Sequence, residues 1–160
     1  MVRMVGVSVI ALACVLASRE LLTKNGRRRA ECEGFLTLLR SIRRQIGSFS
    51  APLDAIYAEF SHPSLDAVGF TEVLRARGFA AALEESEGRL SVDGDVRLLL
   101  SAFSSELGVS YREDQLACCD RYIAELEDML SSVRSEGTRR TKLACSLTAI
   151  FGAMLIIMLL

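Results

Sequence analysis

Tryptophan is absent from the 160 residues, histidine occurs once as His62, and proline occurs only as Pro52 and Pro63. With about half the residues apolar and a moderate charged fraction, so little proline excludes a disordered or Pro-rich chain. A single histidine, on a loop with no carboxylate or nucleophile motif around it, reads as a turn residue rather than a catalyst. The five cysteines, Cys14, Cys32, Cys118, Cys119 and Cys145, show no C-x-x-C spacing. Neither a disulfide framework nor a zinc site is expected from them, and apolar packing in a reducing cytoplasm suits them better. There is no Gly-rich phosphate loop, nucleophile elbow, internal repeat, low-complexity tract or strand-like alternation. No cofactor, metal or catalytic site is therefore implied, and the chain reads as a non-enzyme.

Long apolar runs, by contrast, stand at both ends. Leu143 to Leu160 is eighteen residues without a charge, enough at about 1.5 Å per residue to cross most of a ~30 Å hydrocarbon core. Arg139, Arg140 and Lys142 precede it as a basic collar of the kind that stays cytoplasmic. Val2 to Ser18 is apolar except for Arg3, and spans if it tilts little or the bilayer thins. A cleaved signal peptide ending at Val15-Leu16-Ala17 is the rival reading. Against export stand Arg19, Lys24, Arg27, Arg28 and Arg29, which resist translocation. The expected division is thus a transmembrane helix over 2–18, a cytoplasmic helical-bundle domain over 27–137 and a second transmembrane helix over 143–160. Charge is segregated in the same way: Arg19 to Arg44 carries a net of +5 and Asp54 to Glu136 a net of −10. An acidic body does not suit nucleic acid, whereas the basic segments suit a lipid bilayer.

Helical spacing runs through the body. Phe35, Leu38, Leu39, Ile42, Ile46 and Phe49 form one stripe, with Arg40, Arg43 and Arg44 mostly off it. Those arginines are either a solvated face or a docking patch for an acidic partner or for lipid headgroups. Pro52 opens a short helix, with Ser50 able to cap it, and His62-Pro63 is expected to end it. Leu65 to Ala76 reads as one weaker helix. Phe79 to Glu87 follows, bounded by Gly78 and Gly88. Glu84, Glu85 and Glu87 in it lack the histidine or second carboxylate motif of a metal or acid–base site and read as a solvated face or docking surface. Asp93-Gly94-Asp95 begins like a calcium loop but lacks the later ligands, so a turn with a helix cap is the sounder account. Val96, Leu99, Leu100, Phe103 and Leu107 make the strongest stripe, and Gly108 stops it. Ser110 and Glu113 then form a capping box that starts the last helix, whose stripe is Cys119, Tyr122, Leu126, Met129 and Val133 with Ile123 and Leu130 beside it. A tight antiparallel hairpin follows, within an all-α bundle of about five or six helices.

Several of these residues, taken in order, resemble a known family. They are Val5-Gly6, Ile42-x-x-Gln45-Ile46, Pro52-Leu53, Leu107-Gly108 followed by Gln115, Ser146-Leu147, Gly152, and the closing Ile156, Ile157 and Leu159. Together with the two apolar ends they are similar to the stage III sporulation protein AB family of endospore-forming bacteria, itself related to the inner-membrane F component of type II secretion and type IV pilus machines. Gln45, Tyr111 and Thr148 depart from its pattern, where an acid, an aspartate and a glycine are usual. The resemblance implies a platform in the mother cell to forespore channel complex. It would sit in the outer forespore membrane, with its body in the mother-cell cytoplasm. There it would couple a secretion-type ATPase to other channel membrane proteins. An exported, membrane-anchored helical domain and a membrane-bound sensor or enzyme using His62, Cys118, Cys119 or the acidic cluster Glu84, Glu85 and Glu87 are the alternatives.

Overall fold

In the computed structural model the chain runs through α1 (Val2–Phe49), α2 (Leu53–Glu59), α3 (Pro63–Asp66), α4 (Phe70–Arg77), α5 (Phe79–Ser86), α6 (Gly94–Glu106) and α7 (Arg112–Leu159). The structure describes the helical path of residues 2–49, 52–109 and 111–159, and the side chains of 23–48, 52–109, 111–135 and 146. Among these the fold is all-helical, with no strand. No helix is long and apolar enough to cross a membrane among the described residues. The side chains of the apolar runs 2–18 and 143–160, Ser146 apart, and of the basic collar at 139–142 lie outside them, as do Ser50 and Ser110 altogether.

The chain divides into two compact units, residues 1–26 with 132–160, and residues 27–131. The first consists of the amino-terminal part of α1 and the carboxy-terminal part of α7. The second is the helical body. Its core takes Cys32, Phe35, Leu38, Leu39 and Ile42 from α1, Ile56 and Tyr57 from α2, and Leu65 from α3. It adds Phe70 and Leu74 from α4, Phe79 and Ala82 from α5, Leu99, Leu100 and Phe103 from α6, and Cys119, Tyr122 and Leu126 from α7. Each fully buried Leu, Ile or Phe contributes about 1.5–3 kcal/mol relative to exposure. The 3.6-residue stripes of the sequence thus become the inner faces of the helices.

Five aromatic rings connect the elements through this core. Phe35, Phe70, Phe79, Phe103 and Tyr122 stack edge-to-face in series, with centroids 5.0, 6.0, 5.7 and 5.4 Å apart. Edge-to-face contact sets the positive rim of one ring against the negative face of the next. Residues from α1, α4, α5, α6 and α7 are joined in a single run.

Three expectations are corrected. Leu65 to Ala76 is not one helix: Gly69 at φ 75° turns the chain between α3 and α4, a left-handed conformation that costs an L side chain roughly 1–2 kcal/mol. The Asp66 carboxylate, accepting from the Ser61 and Thr71 hydroxyls, ties this corner together. The short helix begun at Pro52 does end near Phe60, with His62 extended before the proline, and Pro63 in addition opens α3, in whose first turn no helical N–H bond is lost. Pro52 sits one position earlier than the first turn, at the cap, and its carbonyl accepts from Ala55 and Ile56. Asp93 caps α6 by position only: its carboxylate makes no cap bond and pairs with Arg28 of α1 instead.

Candidate interaction surface

The three arginines of α1 lie on its outer side because the inner side is occupied by Leu38, Leu39, Ile42 and Ile46. The structure separates them. Arg40 reaches Glu127 of α7 at 2.6 Å. Arg43 makes a two-pronged pair with Asp120, its Nη2 standing 3.0 Å from Oδ2 and its Nε bonded to Oδ1. The guanidinium fork matches the carboxylate, and the Arg43 hydrogen bonds hold the Asp120 carboxyl below its usual range. Both arginines therefore brace α1 against α7. Arg44 is exposed and has no ion pair or hydrogen bond among the described residues.

Arg44 opens onto a cleft of about 440 Å³ between α1 and the segment around α2. One wall is Thr37, Arg40, Ser41, Arg44 and Gln45, successive outer positions of α1; the other is Ile56, Glu59, Phe60 and Ser61. Ile56 and Phe60 are buried and form an apolar floor, while the rim is polar. The arrangement can receive an anionic group beside an apolar contact.

The acidic residues of α5 do not converge. Glu85 pairs with Arg77, Glu87 stands 3.4 Å from Arg97, and Glu84 is simply exposed. Glu85 and Glu87 serve different neighbours, and among the described residues no group of three or more His, Cys, Asp or Glu could hold a metal ion.

At the end of the body where α1 stops and α7 starts, Gly108 has φ 85° and lies against Leu53. The first bond of α7 runs from the Gln115 amide to the Tyr111 carbonyl, with Glu113 exposed in the first turn. Arg112 donates to the carbonyls of Ile46 and Gly47, covering the open end of α1. The motif segments around Ile46, Leu53, Gly108 and Gln115 are thereby gathered at one end of the bundle.

Other functional-looking polar groups are structural ties that the sequence reading missed. Glu31 is 3% exposed and accepts from the Ser91 and Val92 amides at 2.6 and 3.2 Å. Burial pushes its carboxyl up despite those bonds. Its register with Phe35, Leu38 and Ile42 was the available signal. Glu106 accepts from the Tyr122 hydroxyl at 2.8 Å, Arg121 at 2.6 Å and the Cys118 thiol, joining α6 to α7. His62 Nδ1 lies 2.8 Å from the Ser64 hydroxyl, which donates to the Ala30 carbonyl. The single hydroxyl proton is thus committed to Ala30, so Nδ1 is the donor; Ser64 fastens α3 to α1, and His62 steadies the Ser64 hydroxyl. Cys32 and Cys119 are buried thiols pushed up to about 11 by burial, and with Cys118 they are free.

No curated protein and no solved structure matches the chain. A family model does: that of stage III sporulation protein AB, aligned over residues 3–160, the bundle and both apolar ends included. Its role is in stage III of sporulation, and the chain belongs to the stage III sporulation protein AB family.

Proposed function

We propose that this chain is a non-enzymatic membrane platform in the mother cell to forespore channel. Its terminal apolar runs hold it in the outer forespore membrane, and its body, in the mother-cell cytoplasm, couples a secretion-type ATPase to the channel's other membrane proteins. Family membership across 3–160 carries the reading. The polar groups of the body support it, because Arg40, Arg43, Glu85, Glu87 and Glu106 are engaged in ties between elements. The basic collars beside the apolar runs favour a cytoplasmic body.

Crosslinked retrieval of tagged full-length protein from sporulating cells tests it. Recovery of the ATPase together with channel membrane proteins is the expected result. Recovery of membrane proteins without the ATPase would remove the coupling role.

A further inference from the structure

We propose that the turn between α6 and α7 docks a basic surface of a protein partner, with Val109 and Tyr111 as its apolar anchors. The inference rests on the platform reading and deepens it by naming a docking point and the charge of what meets it.

Two of the three exposed large apolar side chains among the described residues stand at this turn, Val109 at 78% and Tyr111 at 88% exposure. The third, Leu98, has Ser101 and Ala102 as its exposed helical neighbours, and a single exposed leucine is ordinary. The turn is held from both sides. The Leu107 amide bonds to the Phe103 carbonyl at the end of α6, and the Gln115 amide to the Tyr111 carbonyl at the start of α7. Arg112, next to Tyr111, is fixed on the Ile46 and Gly47 carbonyls. Side chains displayed on backbone that is already fixed lose little further freedom on binding, and an exposed aromatic held in this way suits an interface anchor.

Charge selects the partner. Leu53 lies close enough that a Cβ on Gly108 would stand 3.5 Å from it, which brings the start of α2 beside the turn. Asp54, Glu113 and Asp114 are exposed and form no ion pair among the described residues. Three carboxylates against the one guanidinium of Arg112 leave this patch a net of −2. Glu113 and Asp114 also favour the start of α7, so the test must separate docking from that role. An acidic patch repels phospholipid headgroups, nucleic acid and a second copy of itself. It attracts lysine and arginine, which also pack on the face of a tyrosine ring.

The test uses the full chain in sporulating cells, with p-benzoylphenylalanine in place of Val109 and adducts mapped by mass spectrometry. An adduct on a protein surface with lysine or arginine around the crosslinked residue is expected. Its yield should fall about tenfold with Tyr111→Ala, which removes one apolar anchor, and persist with Tyr111→Phe, which keeps the ring. Asp54→Lys with Asp114→Lys should abolish it, and reversing the charge of the facing partner residues should restore it. Such rescue cannot come from a misfolded chain, so the swap distinguishes docking from a damaged start of α7. An adduct on phospholipid or on a second copy of this chain, no adduct, or a yield indifferent to Tyr111→Ala or to the charge reversal would overturn the proposal. A basic-surface adduct on a channel protein other than the ATPase supports the turn and removes the motor from it, so the two readings fail separately.

Discussion

Gly34 stands in the middle of α1, where an alanine would ordinarily strengthen a helix by about 0.5–1 kcal/mol. Here a Cβ would lie 2.8 Å from His62 Nδ1, 2.9 Å from the Ser64 hydroxyl and 3.0 Å from Leu65. The glycine therefore exists for the close approach of α3, and the His62 and Ser64 ties depend on it. Gly34→Ala should destabilise the fold by about 1–3 kcal/mol, read as a lowered urea midpoint by far-UV circular dichroism. Glu31 makes a second prediction at this scale. Burial raises its carboxyl above the ordinary value of 4.5, so over that interval the folded state holds more protons than the unfolded one. Stability assigned to Glu31 then falls as pH rises from just above 4.5. Asp66, Glu106 and Asp120 have the opposite sign, because their hydrogen bonds lower them and their contribution disappears on acidification. The midpoint of Glu31→Gln measured against pH should lack the falling contribution that the parent protein shows above 4.5.

At the scale of elements, α1 and α7 are the longest helices, each of 48 residues. Within the body they are bridged by Arg40 with Glu127 and Arg43 with Asp120. Both bridges are exposed, so they add to alignment more than to stability. Arg43→Asp, which sets two carboxylates together, should lower the denaturation midpoint. Asp120→Arg in the same chain should restore it, and a double-mutant cycle at two salt concentrations would show the coupling shrinking as ionic strength rises. The short elements behave differently. α2 to α5 have seven, four, eight and eight residues, too short to be stable alone. They are helical because their inner faces pack on α1, α6 and α7.

At the scale of the whole molecule, the five-ring aromatic run links five helices of the body. Phe70 lies between Phe35 and Phe79 and is fully buried. Phe70→Ala should cost about 3–5 kcal/mol, a large part of a stability on the order of 5–15 kcal/mol. The expected observation is a thermal transition displaced downward and broadened, with α-helical content lost at 25 °C only if the parent sits at the lower end of that range. Exposed sites such as Arg44 should leave the same transition in place.

The amino-acid sequence by itself determined the helical class, the inner face of nearly every helix and the family, because an apolar stripe at 3.6-residue spacing is a local property. It also located Gly108 as a turn, since a glycine after the last stripe residue needs no distant partner to be legible. Pairing was not legible. Arg43 meets an acid 77 residues away and Arg40 one 87 residues away, so three arginines that look equivalent along α1 become two braces and one free cation only when α7 lies beside them. The same holds for Glu31, whose amide partners are 60 and 61 residues distant, and for Gly34, whose necessity comes from α3. Helix register follows from neighbours in the chain; charge compensation and close approach follow from neighbours in space, and those only the tertiary structure decided.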